Sequence, residues 1–518
     1  MQETARRDEN GVGRKLIGGA LILTVISLAV KVAGMLFRIF LTARIGTEGM
    51  GLYQLTLSVY SMFATVATAG FSVAVSRLAA ERTEALGGKA GRDSARRVLA
   101  VASAVAALIG IAAALVLYFS SGFFALNALR DPRCADPLRI LAVSMPFMAV
   151  SACVKGYFTG TRQIYKPSAV SMFEQLVKIG VTMAFLYIFY ADTNDAGKLC
   201  IGIVAGLTVG EAASYVLLAI LYLFFSGRER VTKGLTGVIS RRDALKDLFS
   251  VAMPVAGSAY IVSALHTVES MLIPIKFAEH GGDTSEALSQ FGIIRGMAIP
   301  ILFFPFAFLG SLASIALPEI TRLNVAADKR ERDAKISKLL SVSFLFGIGT
   351  GALFFFFPQE ISIAMYKTAE PTEAIRVLAA VTPFMYVETV TDSLLKSIGE
   401  QFGTFKFSIY NSVLRIAVIM LLISHTGAEG YLWLLVISNV FSFLLCVVRL
   451  AKVSGWRPSF MTDILLPVCA SVASCYVCRY VLLMINGVGY RIGMCIILVL
   501  FAALYGAVCL GAEKWKKV

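Results

Sequence analysis

The chain has 518 residues, 57% of them hydrophobic and only 16% charged, with a mean hydropathy of +0.76. That is more apolar surface than a soluble domain can bury, so the solvent for this chain is a lipid bilayer. A formal net charge of +15 would suit a nucleic-acid binder, but the basic residues sit between apolar runs and not on a folded polar face, which argues against that class.

The opening MQETARRDENGVGRK is polar and basic. The apolar run after it is too long for a signal peptide and lacks a small-residue cleavage site, so it reads as a first span behind a cytoplasmic tail, residues 1–15. A crossing helix needs roughly 20 apolar residues. Apolar runs bounded by Gly, Pro and charge clusters give about fourteen spans, near 16–43, 50–80, 95–119, 137–160, 167–190, 199–226, 247–277, 287–321, 337–357, 374–398, 404–424, 429–450, 461–485 and 491–511. An all-α polytopic membrane protein follows.

The alternation of basic loops tests that count, because a missed span would scramble it. The N-terminal tail, the stretches Arg82–Arg97, Arg228–Lys246 and Arg322–Lys338, the shorter loops at Arg162/Lys166, Lys396/Lys406 and Arg449/Lys452/Arg457, and the tail Lys514, Lys516, Lys517 hold 31 of the 48 Lys and Arg residues. All have one parity, so an even number of spans with both termini in the cytoplasm is expected, in a cytoplasmic membrane.

An internal repeat sets the architecture. LRILAVSMPFMAV from Leu138 reappears as IRVLAAVTPFMYV from Ile375, an offset of 237 residues that also pairs Arg139 with Arg376 and Lys178-Ile179 with Arg415-Ile416. Six spans separate the copies, so orientation is preserved: two parallel six-helix lobes followed by two further helices. The expected division is an N-lobe at 16–226, a basic inter-lobe loop at 227–246, a C-lobe at 247–450, a final helix pair at 461–511 and a cytoplasmic tail at 512–518. Duplicated lobes of this kind commonly rock around a central site, the alternating-access arrangement of transporters. They already supply a moving interface, so a monomer is expected.

Ionisable residues inside spans are costly unless they face protein or water, which makes each a candidate site. Lys31 and Arg38 lie seven residues apart, on one face of the first helix. Arg295, on the eighth span, reaches a similar depth from the other lobe. Three cations converging on one cavity would bind an anion by charge-assisted hydrogen bonds, and a pyrophosphate fits that demand. The competing reading is internal pairing: Lys31 or Arg295 with Glu269, and Glu174 with Lys178 at helical spacing. Glu269, Glu174, Lys178 and Arg415 read as secondary charges of the cavity, with lobe packing the competing reading for Lys178 and Arg415, which the repeat relates; Lys155 reads as a residue reaching for the cytoplasmic interface.

Glu388 and Asp392 stand at i and i+4, one turn before Lys396. They could ligate a coupling cation or form a salt-bridged face. His266 lies one turn before Glu269 and reads as a hydrogen-bonded core residue. The CxxC of Cys475 and Cys478 lies within a span without a second pair, which speaks against zinc. No GxxxxGK[ST], HExxH or nucleophile elbow occurs, so no enzyme, cofactor or metal site is expected, and any driving force must be Na+, H+ or membrane potential.

The stretch GGALILTVISLAVKVAGMLFRIFLTARIGTEGMGLYQL, with AGFSVAVSRLAAE after it, resembles the stage V sporulation protein B-like polysaccharide-biosynthesis flippases of the MOP superfamily, relatives of MurJ-type lipid II flippases, Wzx proteins and MATE exporters. The resemblance covers span count and repeat layout across the chain, and the IG-x-x-G-x-GLYQL junction is its most specific part. It implies two six-helix lobes, a groove on the last two helices for a polyprenyl tail, and flipping of an undecaprenyl-pyrophosphate-linked saccharide to the outer leaflet for peptidoglycan, spore cortex or polysaccharide synthesis. Lys31, Arg38 and Arg295 match the first- and eighth-helix cation positions of MurJ-type proteins; the second helix has no matching cation before Arg77. The alternative is an ion-coupled MATE-type multidrug exporter, which would want acidic and aromatic walls. A membrane scaffold would tolerate charge reversal at Lys31 or Arg295.

Overall fold

A computed structural model describes residues 2–225, 240–281, 283–456, 459–484 and 490–515, and every regular element among them is helical. In the first half these are α1 (Gln2–Thr68), α2 (Phe71–Leu86), α3 (Gly88–Phe123), α4 (Ala135–Gly160), α5 (Tyr165–Ala184), α6 (Ala196–Phe225) and α7 (Arg241–Gly281). The second half has α8 (Thr284–Phe291), a π-helix at Gly292–Ala298, α9 (Ile299–Phe303), α10 (Phe306–Val325), α11 (Lys329–Phe356), α12 (Pro358–Tyr366), α13 (Thr372–Ala379), α14 (Thr382–Ser397), α15 (Gln401–Val418), α16 (Ser424–Ser454), α17 (Leu466–Met484) and α18 (Tyr490–Trp515).

Twelve described stretches are long and apolar enough to cross a membrane, thirteen with the bent pair α13 and α14. Two of them, Val25–Leu86 and Gln401–Ser454, run to 62 and 54 residues, enough for two passages each. Each contains a glycine with non-helical backbone, Gly46 and Gly427. Divided there, and with Thr284–Val325 taken as one passage, the thirteen stretches become the expected fourteen. The second expected span, 50–80, is itself interrupted: Gly70, at φ 81°, separates α1 from α2, and a side chain there would press on the Ala252 backbone.

The chain divides into two compact units, Met1–Phe37 with Leu52–Met271, and Arg38–Gly51 with Leu272–Val518. The divisions therefore fall inside α1 and α7. The expected boundary at 227–246 lies, up to residue 239, outside the described residues. In the first unit α3 and α2 pack along α4, and α6 along α4 and α5; in the second, α14 packs on α11 and α16, and α17 on α11 and α18.

The 237-residue repeat is visible in the packing of each unit. A Cβ added at Gly110 of α3 would lie 3.0 Å from the Pro146 Cα of α4, and one at Gly347 of α11 would lie 2.9 Å from the Pro383 Cα of α14. Gly110 and Gly347 are themselves 237 residues apart. Each unit thus brings two helix backbones together where a glycine faces the proline of the Pro-Phe-Met motif, the close approach that lets helices pack in lipid. The copies differ beyond that point: α4 runs on through Pro146, whereas α13 and α14 meet at a bend of 61° before Pro383. Substituting Gly110 by valine should force α3 off α4 and destabilise by about 1–3 kcal/mol, seen as a lower unfolding temperature in detergent; an unchanged temperature would contradict this contact.

Candidate functional site

In the second unit the site is built where α1 crosses the eighth span. Gly46 takes φ 69°, ψ −173°, a conformation side chains resist, and turns the chain between two helical parts of α1. Beyond it, α1 meets α8 without intervening side chains. A Cβ at Gly51 would overlap the Leu288 carbonyl, and one at Gly292 would overlap the Thr47 carbonyl and lie 2.7 Å from the Gly51 nitrogen.

The eighth span then departs from α-helix into the π-helix Gly292–Ala298. Such bulges disturb the i→i−4 ladder and are frequent at functional sites. Neighbouring side chains take up its carbonyls. Arg38 Nη1 donates to Gly296 O at 3.3 Å, and the Tyr366 hydroxyl donates to Met297 O at 3.3 Å. Burial pushes the Tyr366 phenol up to about 12, while the Arg38 charge pulls it the other way. One turn further on, the Tyr386 hydroxyl donates to Leu302 O.

Arg295 sits within the π-helix, half-buried, and its Nε donates to the Tyr431 hydroxyl at 3.0 Å. Two of the three anticipated cations, Arg38 and Arg295, are therefore gathered on one stretch of helix. Lys31 belongs to the first unit, where it is exposed.

The first unit holds a chain of four charges. Lys155 Nζ lies 3.2 Å from Glu174, Lys178 lies 2.7 Å from Glu174, and Lys178 also lies 3.0 Å from Glu211. The pairing of Glu174 with Lys178 matches the helical spacing. Lys155, expected to reach for the cytoplasmic interface, pairs with Glu174. Nearby, the Tyr60 hydroxyl shares a 2.8 Å hydrogen bond with Ser144. Two cations and two carboxylates balance, so this cluster reads as a structural brace across α4, α5 and α6.

Glu269, fully buried in α7, has His266 Nδ1 at 3.7 Å, an ion pair only when the imidazole is protonated. In the second unit Asp392 is engaged by Lys396 at 2.6 Å, whereas Glu388 accepts from the Ser442 hydroxyl at 3.1 Å. The two carboxylates thus separate into a salt-bridged one and one surrounded by hydroxyls. Arg415 is half-buried near the end of α15. Cys475 and Cys478 are buried free thiols, and no group of three metal-ligating side chains occurs among the described residues. Tyr431 and Gly296 carried no mark in the sequence: an aromatic and a glycine in apolar runs acquire meaning only from what the fold sets beside them. Glu211 stood out as an acid inside a span, but its pairing with Lys178 did not.

Residues 16–308 match the sequence pattern of the family described as polysaccharide biosynthesis protein, and residues 323–468 match a second pattern of that description. Stage V sporulation protein B of Bacillus subtilis (strain 168) is 23% identical over 440 residues, covering 84% of this chain and 83% of that protein. Lipid II flippase MurJ of the same organism is 20% identical over 477 residues, covering 85% and 84%. A solved structure of lipid II flippase MurJ in an inward closed conformation has a TM-score of 0.70 at 12% identity, over 94% of this chain and 98% of that one. An inward-facing multidrug resistance MATE family transporter of the MOP superfamily has a TM-score of 0.60 at 14% identity, over 84% of this chain and 100% of that one. Likeness at these identities speaks for a shared fold. Membership comes from the sequence pattern, which spans more than half the chain: this multi-pass membrane protein belongs to the polysaccharide biosynthesis family.

Proposed function

We propose that this protein is a transporter of the MOP superfamily, a flippase that carries an undecaprenyl-pyrophosphate-linked saccharide, lipid II or another cell-envelope precursor, from the cytoplasmic to the outer leaflet by alternating access. The observation that carries the reading is the placement of Arg38 and Arg295 on the π-helical stretch of the eighth span. Arg38 is held by a backbone carbonyl, which fixes its guanidinium, and guanidinium groups suit the paired phosphates of a pyrophosphate. We assign substrate binding to Lys31 as a third cation. The relationship to stage V sporulation protein B and to lipid II flippase MurJ supports a polyprenyl-linked saccharide over a drug, in peptidoglycan, spore cortex or polysaccharide synthesis. The protein works as a monomer in the bacterial cytoplasmic membrane with both termini inside, and the groove for the polyprenyl tail lies on α17 and α18. Coupling to Na+ or H+ would fall to Glu388, whose hydroxyl partners leave its charge unpaired, with Asp392 already engaged by Lys396.

The test is binding of undecaprenyl pyrophosphate and of lipid II to the purified protein in detergent. Arg38→Ala, Arg295→Ala and Lys31→Ala should each weaken binding about tenfold or more, roughly 1.4 kcal/mol. Absent lipid binding, or affinity unchanged in all three variants, would overturn the flippase reading, and saturable binding of cationic drugs in its place would establish a MATE-type exporter.

A further inference from the structure

Every nitrogen-bound hydrogen of a guanidinium is a donor, and none of its atoms accepts. In the 3.0 Å contact between Arg295 Nε and the Tyr431 hydroxyl, the phenol oxygen therefore accepts, and its own hydrogen must point elsewhere. No acceptor for that hydrogen exists among the described residues, although Tyr431 is fully buried, at 0% exposure. A buried hydroxyl hydrogen without an acceptor is unfavourable. The surroundings hold the ring in place: Phe277 packs edge-on to it at 5.8 Å and 70°, and α16 reaches Tyr431 one turn after the Gly427 break at φ 59°. The phenol is thus fixed by its ring, bound to Arg295 by its oxygen, and short of one acceptor.

We propose that Tyr431 is a positioning residue of the anion site: it sets the rotation of the Arg295 guanidinium through Nε, and its unused hydrogen is satisfied by an oxygen of the bound phosphate group. The proposal rests on the reading of Arg295 as a pyrophosphate-binding cation and adds to it a specificity element for an oxyanion. A halide or a sugar hydroxyl placed beside Arg295 would not meet both demands as well, because a phosphate presents several charged acceptors to the guanidinium and the phenol together.

Tyr431→Phe removes only the hydroxyl and keeps the ring that packs on Phe277. Undecaprenyl pyrophosphate binding by the purified protein is measured for wild type, Tyr431→Phe, Arg295→Ala and the double variant, with the unfolding temperature of each. The expected result is an unchanged unfolding temperature for Tyr431→Phe and binding about tenfold weaker than wild type, the scale of one hydrogen bond to a charged group, with no further loss when Tyr431→Phe is added to Arg295→Ala. Wild-type affinity in Tyr431→Phe, with Arg295→Ala weakened, would show that a buried water satisfies the phenol and would overturn the positioning role while the flippase reading stands. The same loss in the Arg295→Ala background would show that the hydroxyl acts independently of Arg295, and overturn it too. Wild-type affinity in Arg295→Ala would remove the anion site itself, and the proposal with it.

Discussion

Lys178→Met is expected to destabilise the protein by about 3–5 kcal/mol, the cost of removing one partner from a buried ion pair. Lys178 is the only cation within salt-bridge distance of Glu211 among the described residues, and it shares Glu174 with Lys155. The side chains of Lys178, Glu174 and Glu211 are only 17%, 13% and 11% exposed, so water does little to replace the lost ammonium. The damage should be charge-specific. Adding Glu211→Gln to Lys178→Met removes the stranded carboxylate and should recover more than half of the lost stability, whereas adding Lys155→Met should deepen the loss. Thermal unfolding of the purified protein in detergent reads all three. A Lys178→Met variant as stable as wild type would mean that the four charges are solvated and brace nothing.

Gly292→Val carries the second large effect. The new side chain would have to displace the Thr47 carbonyl and the Gly51 amide, which are backbone and cannot rotate away. A loss near 3 kcal/mol is expected, together with loss of lipid binding, since Arg295 lies three residues on in the same π-helix. Gly257→Ala is the matched control: a Cβ there meets nothing within 4 Å, and alanine favours a helix interior by up to about 1 kcal/mol over glycine. If both variants unfold at the wild-type temperature, α1 and α8 do not touch as described.

Much of this was legible in the sequence, because hydropathy and loop charge report directly on the bilayer. The spans, the glycine junction between the first two helices and the parallel repeat belong to that class, as does the Glu174–Lys178 pair, whose residues are one turn apart. Lys178–Glu211 is different: 33 residues and a change of helix separate the partners, so neither spacing nor composition joins them. The partner of Arg38 was out of reach for another reason. It is a backbone carbonyl, available at every residue, and only the π-helix singles out Gly296. The segment Arg38–Gly51 also defeats a division read along the chain, since its close backbone contacts are with residues more than two hundred positions away.

The two parts of the second unit are made far apart in time. Synthesis delivers Arg38 to the membrane long before Gly296, its hydrogen-bond partner 258 residues later. At about 5–20 residues per second, the guanidinium waits on the order of 10–50 s for the acceptor that will hold it. Through that interval the first helix must be retained by its apolar length alone, or guarded by the insertion machinery. The strongly apolar residues that precede Arg38 in α1 therefore serve biogenesis as well as the finished protein, and neither half of the polypeptide, made alone, contains all the residues of the second compact unit.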